Sequence, residues 1–158
     1  MNCNNAQKEI FNAMLKGEGC HKYELDEKNV FITPDGFHGY VIPYSQIQIN
    51  LLKIPDCKDL NLQAIVTEEN LCKLTKEALI LEHPRVIARK LKRGDECIYF
   101  KEKFMSCFQN PKFYNKHPHQ MIVVTEDISA MRKNEIVGVI LPIRVADNLK
   151  ETYKREDK

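Results

Sequence analysis

The sequence lacks the patterns that identify several large classes of protein. Its six cysteines include no CxxC pair, which excludes the usual spacing of a zinc finger. No apolar run reaches the ~18 residues that a membrane-spanning helix needs. The N-terminal letters MNCNNAQKEIF lack the charged-then-apolar order of a secretory signal, so we expect a cytoplasmic protein with reduced thiols and no membrane partner.

An excess of charge of one sign is also missing. The 24 Lys and Arg residues and the 22 Asp and Glu residues leave a net charge of +2, which by itself does not indicate a nucleic-acid partner. Hydrophobic residues make up 43% and charged residues 29% of the 158 positions, as in an ordinary globular chain. This length corresponds to one domain, which would bury about two thirds of its unfolded surface.

Patterns for catalysis, cofactors and metals are weak. Cys20 and His21 could form a nucleophile and a base, but neighbouring residues on a strand point to opposite faces. His117 and His119, with Cys107 near in sequence, would need further ligands to hold a metal and are typical of a turn. We therefore expect a protein that is not an enzyme and that uses no cofactor or metal.

Hydrophobic periodicity predicts a mixture of helices and strands. Residues 6–16 carry apolar side chains at helical spacing and are followed by Gly17, which predicts a helix. The same spacing at 101–109 predicts a second helix, and 68–77 is read as a short helix. Strands are predicted at 21–25, 29–33, 39–44, 45–52, 62–66, 78–82, 85–93, 97–100, 121–125 and 136–145.

Three sequence blocks recur in the same order near the two ends of the chain. KEIFNAMLK (8–16) is similar to KEKFMSCFQ (101–109), KNVFIT (28–33) to QMIVVT (120–125), and GYVIPY (39–44) to GVILPI (138–143). Any two segments made of a helix and strands share some composition. The Gly-x-x-x-Pro spacing in both final blocks nevertheless favours a duplication.

The duplication predicts how the chain is organised. We expect an α+β fold with two helix-plus-β-meander halves, at about 8–54 and 97–145, because pairing the halves would bury both helices against a shared sheet. The halves would form a single domain over 1–145, and a polar tail would follow at 146–158.

This organisation resembles one domain of a bacterial DNA sliding clamp. CIYFKEKFMSCF resembles the strand-into-helix step of the clamp's final domain, and IVVTEDISAMRKNEIVGVILPIRV resembles its closing hairpin. In that family the hairpin ends in an apolar-apolar-Pro-apolar-Arg-apolar pattern, which is present here. The resemblance is best over 97–145 and implies a DNA-clamp-like single domain. A clamp subunit has three such domains and forms a ring, so encircling DNA would require a homo-oligomer of this chain.

The resemblance also implies a peptide-binding cleft. In the clamp family the closing strand borders a hydrophobic cleft, where polymerases and repair proteins dock a short peptide motif. By position, the residues of this cleft would be Val139, Leu141, Pro142 and Ile143, with Arg144 at the rim. Proline belongs at a sheet edge or a strand end, and an edge can receive a peptide. The alternative is a core strand with an edge proline and a solvated arginine.

A second set of residues could contact the phosphates of duplex DNA. They are the basic side chains Arg85, Arg89, Lys90, Lys92, Arg93, Lys101 and Lys103. Each phosphate contact would add salt dependence to binding. Alternation along the strand 85–93 puts Arg85 and Arg89 on one face and Lys90 and Lys92 on the other, so a solvated strand is the alternative interpretation of this arm. Lys101 and Lys103 lie on the predicted second helix, where Glu102 stands between them.

The sequence therefore predicts a non-enzymatic binding module related to replication or to a mobile element. It would dock a peptide motif of a replication or repair protein, duplex DNA, or both. The alternative is a small intracellular protein-interaction domain with no role on DNA. Filter binding to duplex DNA at low and high salt separates the two, because phosphate contacts weaken as salt rises.

Overall fold

The computed structural model describes residues 1–57, 71–83 and 86–145. The helix is α1 (Cys3–Lys16), and the strands are β1 (His21–Glu24), β2 (Asn29–Thr33), β3 (His38–Pro43), β4 (Cys72–His83), β5 (Val86–Arg93), β6 (Glu96–Lys101), β7 (Lys112–Asn115), β8 (Ile122–Glu126) and β9 (Glu135–Ile140). Three 3₁₀ helices span Tyr44–Gln46, Leu51–Lys53 and Glu102–Cys107. The predicted strand at 62–66, Arg85 and the predicted tail at 146–158 lie outside the described residues.

The nine strands form one antiparallel sheet in the order β1-β2-β3-β9-β8-β7-β4-β5-β6. It consists of three meanders, β1–β3, β7–β9 and β4–β6, which are joined by the β3–β9 and β4–β7 pairings. Consequently β9 lies between β3 and β8 in the interior of the sheet, and β1 and β6 are the two edge strands.

The helix α1 forms because both of its ends are capped and one of its faces is apolar. The Asn2 side chain accepts a hydrogen bond from the backbone N–H of Asn5 at 3.2 Å. Gly17 ends the helix with a φ of 69°, the left-handed conformation that favours glycine. Ile10 is completely buried in the core. The predicted helix at 6–16 is therefore confirmed.

The core lies between α1, the 3₁₀ helix Glu102–Cys107 and the inner face of the sheet. Phe100 and Phe113 are among its largest side chains, and their ring centroids are 5.4 Å apart. On the outer face, Phe31 packs directly on Gly39, where an added Cβ would lie 2.1 Å from the Phe31 Cζ. The sheet therefore needs a glycine at this position for steric reasons.

The predicted α+β fold with two helix-plus-β-meander halves is wrong. The described residues contain one α-helix and a continuous nine-stranded antiparallel sheet. The second predicted helix, at 101–109, is the end of β6 followed by the 3₁₀ helix Glu102–Cys107. This segment follows β6 directly, and Lys101 provides no side-chain cap for an α-helical first turn. The third meander, β4–β6, extends the sheet, and its strands β4 and β5 have no equivalent in either predicted half.

Two further segment predictions are also wrong. Residues 45–52 form no strand, because their backbone is bonded to α1. The Gln7 side chain donates to the Gln46 C=O at 2.9 Å and accepts from the Gln48 N–H at 2.6 Å. The helix predicted at 68–77 is replaced from Cys72 onward by β4.

The segment predicted to close the hairpin, 136–145, consists of two parts that pair with different strands. The strand predicted at 136–145 is confirmed up to Ile140, where β9 ends. Residues 141–145, which we call the strap, leave the interior of the sheet and approach the edge strand β6.

Candidate functional site

The strap is held at two points by backbone hydrogen bonds. The Leu141 N–H donates to the Phe37 C=O at 2.7 Å and extends the β3–β9 ladder by one bond. The Ile143 N–H donates to the Tyr99 C=O at 2.8 Å and forms an antiparallel bridge with β6. Pro142 lies between these two donors and has no N–H that would need a partner. The proline therefore stands where the chain changes from one strand neighbour to the other.

Phe37 and Leu141 form an exposed apolar pair at one end of the sheet. Because β3 and β9 pair His38 with Ile140, the same register places Phe37 opposite Leu141. Side chains that are directly opposite in an antiparallel ladder share a face, with Cβ atoms ~4.5–5.5 Å apart. Phe37 is 62% exposed and Leu141 is 37% exposed. The pair can therefore contact an apolar group of another molecule without any rearrangement.

The other residues predicted to line a cleft lie in different surroundings. Val139 is 2% exposed and packs with Phe31 on the outer face of the sheet. Ile143 belongs to a separate apolar cluster on β5 and β6, and Pro142 is partly buried. Arg144 is exposed. The structure therefore places Leu141 beside Phe37, which the sequence did not indicate, and gives Val139 and Ile143 separate packing partners.

Several of the basic residues predicted to contact DNA are held by carboxylates of the same chain. Arg89 is 4% exposed, and its Nε donates to Glu102 Oε2 at 2.6 Å. Lys90 and Lys92 share the carboxylate of Glu77, with Nζ–O distances of 3.7 and 3.0 Å. These ion pairs reduce the positive charge that β5 offers to a phosphate.

The remaining basic residues have mixed environments. Lys103 Nζ lies 3.5 Å from Glu9 Oε1, and the Arg93 guanidinium contacts Cys72 Sγ at 3.2 Å. Lys101 is partly buried at the end of β6. The predicted DNA contact at these residues stays a prediction.

A buried network around His38 was missed at the level of sequence. The His38 Nδ1 lies 2.8 Å from Asp35 Oδ1, and its Nε2 lies 3.3 Å from Glu9 Oε2. Neither ring nitrogen has an aligned hydrogen-bond partner within the described residues. The ring centroid lies 4.0 Å from that of Phe104. No local motif could have revealed the network, because Glu9 and Phe104 are remote from His38 in sequence.

Glu9 connects this network to α1 and to the 3₁₀ helix Glu102–Cys107. Burial raises the pKa of the Glu9 carboxyl, but contacts with the His38 ring and the Tyr40 hydroxyl outweigh burial and lower the pKa to about 2. Burial, followed by the proximity of Cys107 and Glu9, raises the pKa of Tyr40, so its hydroxyl keeps the proton that it donates to Glu9. The network thus ties three elements together around one carboxylate.

Asp35 links the network to the exposed apolar pair. Its Oδ1 accepts the backbone N–H of Phe37 at 2.8 Å and that of His38 at 3.2 Å. Gly36, between Asp35 and Phe37, has a φ of 76°. The turn that carries Phe37 is therefore fixed by a side chain that also contacts the buried His38.

The candidate nucleophile Cys20 is buried, and the candidate metal ligands His117 and His119 lie on a turn. Burial raises the pKa of the Cys20 thiol to about 11, so little thiolate is present at neutral pH. The rings of His117 and His119 have centroids 5.5 Å apart. In the part of the chain that the structure describes, no group of three or more His, Cys, Asp or Glu side chains could hold a metal ion.

The helix α1 has 14 residues, and no helix among the described residues has the length and apolar character needed to cross a membrane. Comparisons of the chain with protein-family models, with curated proteins and with solved structures find no match.

Proposed function

We propose that this protein is a non-enzymatic binding module that docks a short apolar peptide of another protein on the Phe37–Leu141 pair. The observation that carries the proposal is the exposure of two large apolar side chains at adjacent positions of a hydrogen-bonded β-ladder. One apolar anchor residue in the peptide would contact both side chains. Such a contact belongs to the small, transient class of interfaces.

The backbone around the pair supports this proposal because it is ordered before any ligand binds. Asp35 fixes the turn that carries Phe37, and the bond to the Phe37 C=O fixes Leu141. A backbone that is already fixed loses little conformational entropy on binding. Arg144, exposed on the strap, offers a cation to a carboxylate of the same peptide.

Peptide docking is favoured over DNA binding by the charge distribution. Four of the predicted phosphate-contacting residues have carboxylate partners within the chain, namely Arg89, Lys90, Lys92 and Lys103. The setting in replication, repair or a mobile element, and a ring of several copies, are further proposals that come from the sliding-clamp resemblance. The peptide-docking surface does not require them.

Selection from a phage-displayed library of random heptapeptides on the immobilised full chain tests the proposal. We expect enrichment of peptides with one large apolar residue. The Leu141→Asp variant should stay folded by circular dichroism and should lose these peptides. Leu52→Asp is the matched control, because Leu52 is 95% exposed on the 3₁₀ helix Leu51–Lys53, outside the ladder.

Two outcomes would contradict the proposal. One is the absence of any enriched apolar peptide, and the other is retention of the selected peptides by a folded Leu141→Asp variant. Salt-sensitive retention of duplex DNA by the same preparation, without peptide enrichment, would favour DNA as the ligand.

A further inference from the structure

Among the described residues, only a short segment of the same chain covers the β6 edge of the sheet. β6 has six residues, and one bridge, between Tyr99 and Ile143, pairs its outer side with another described residue. Unpaired strand edges can accept a strand from another chain, and proteins usually cover them. The strap is such a cover, but it is a short one.

The ladder geometry determines which backbone N–H and C=O groups of β6 lie on its outer side. In an antiparallel ladder, alternate residues direct their N–H and C=O groups to opposite neighbours. The Tyr99 C=O points away from β5, since it accepts from Ile143. Cys97 and Lys101 are each two residues from Tyr99 along the strand, so their backbone N–H and C=O groups also point away from β5. Within the described residues, no backbone hydrogen bond from another segment reaches these two.

The side chains next to this edge combine an apolar centre with positive charge. Tyr99 belongs to an apolar cluster with Ala88, on which the strap residue Ile143 packs. Register places Lys90 beside Tyr99 and Lys92 beside Cys97. The two lysines share one carboxylate, that of Glu77, so these three side chains together carry a net charge of +1.

Lys101 adds a further cation at the other end of the same edge. Its side chain is partly buried and forms no ion pair with a described residue. Positive charge therefore lies on both sides of Tyr99 along β6. A strand that is complementary to this surface has an apolar residue opposite Tyr99 and carboxylates two residues away on each side.

We propose that β6 accepts an extended strand of a partner protein with this acidic-x-apolar-x-acidic pattern, and that the strap occupies the site until the partner replaces it. The site is distinct from the Phe37–Leu141 pair. When no partner is bound, the Ile143 side chain occupies the position that the apolar residue of the partner would take. A strand that pairs along 97–101 forms more backbone bonds than the single Ile143 bridge, so it can displace the strap.

The strap lowers the apparent affinity of the partner strand, because only those molecules in which the strap is detached from β6 can bind the partner. Weakening the strap should therefore strengthen binding. Pro142 separates the two anchored halves of this segment, so release of Ile143 from Tyr99 leaves the Leu141–Phe37 bond in place.

The test uses a fluorescein-labelled peptide, Ser-Glu-Thr-Ile-Thr-Glu-Ser, and a matched peptide in which lysine replaces both glutamates. Fluorescence polarisation with the full chain should give binding of the acidic peptide and at least tenfold weaker binding of the basic one. The Ile143→Gly variant should bind the acidic peptide at least fivefold more tightly. Ile128→Gly, at an exposed loop residue, is the control and should bind like the unmodified protein.

A second variant tests the strand geometry itself. In Cys97→Pro, the proline removes an N–H that points away from β5, so the sheet should remain folded while peptide binding is lost. Equal binding of both peptides, no gain in Ile143→Gly, or full binding by a folded Cys97→Pro variant would overturn the proposal. If Ile143→Gly bound neither peptide, the strand proposal would also be overturned, but this result would not contradict peptide docking at the Phe37–Leu141 pair.

Discussion

The carboxylate of Glu9 should stabilise the fold in a pH-dependent manner, and Glu9→Gln should remove that contribution. The pKa of Glu9 in the folded protein is about 2, against an ordinary value of 4.5. At 1.36 kcal/mol per pKa unit, this difference corresponds to about 3 kcal/mol. The Glu9 side chain is 26% exposed, and solvent screening reduces the expected contribution to about 2 kcal/mol.

The sign follows from the depressed pKa. A carboxyl whose folded pKa lies below its unfolded pKa contributes its full stability above pH 4.5, and this contribution is lost as the pH falls toward 2. The free energy of unfolding of Glu9→Gln should therefore be about 2 kcal/mol lower than that of the unmodified protein at pH 7. At pH 3 the difference should be less than half as large. Urea denaturation followed by circular dichroism at both pH values measures it.

Glu18→Gln is the matched control, because Glu18 is exposed and its Oε1 lies 3.9 Å from the Nζ of Lys16, which is also exposed. Its effect should stay below about 0.5 kcal/mol at both pH values. The reasoning would be refuted if Glu9→Gln caused the same loss at pH 7 and pH 3, since that result would indicate packing rather than charge. An unchanged free energy of unfolding at pH 7 would also refute it.

Two further predictions concern sterics and thiol reactivity. Gly39→Ala should lower the free energy of unfolding by about 2 kcal/mol or more, because the new Cβ would lie 2.1 Å from the Phe31 Cζ. The control variant Gly19→Ala should be nearly neutral, because its Cβ would make only an ordinary contact. Equal urea midpoints for the two variants would contradict the packing argument. Exposed Cys72 should react with iodoacetamide at pH 8 at least about tenfold faster than buried Cys20, whose pKa is about 11. Peptide mass spectrometry over time measures both rates, and similar rates would show that Cys20 is accessible.

Several strands could be predicted because their signal is local. The apolar runs at 29–33, 39–44 and 121–125 are bounded by turn residues, and each falls on a strand of the sheet. The helix prediction at 101–109 was wrong because the spacing of apolar residues was its sole basis. Phe104 and Cys107 are spaced as in an α-helix and are buried, but the segment lacks a cap and folds as a 3₁₀ helix.

The strand order and the candidate site could not be read from the sequence, because both depend on remote pairings. Leu141 was selected as a site residue, but its neighbour Phe37 was not, since only the β3–β9 register makes them adjacent. The His38 network has the same origin, because its carboxylates come from α1 and from a turn. Arg89 was interpreted as a possible phosphate contact, whereas the fold buries it against Glu102.

The β3–β9 ladder constrains the order of events during synthesis on the ribosome. β3 ends at Pro43 and its neighbour β9 begins at Glu135, so the nascent β1–β3 meander must wait for 92 more residues, the difference between these positions. At the usual elongation rate of ~5–20 residues per second, this interval lasts roughly 5 to 20 seconds. Throughout it, one flank of β3 is unpaired, and this edge can form non-native pairings until β9 is made.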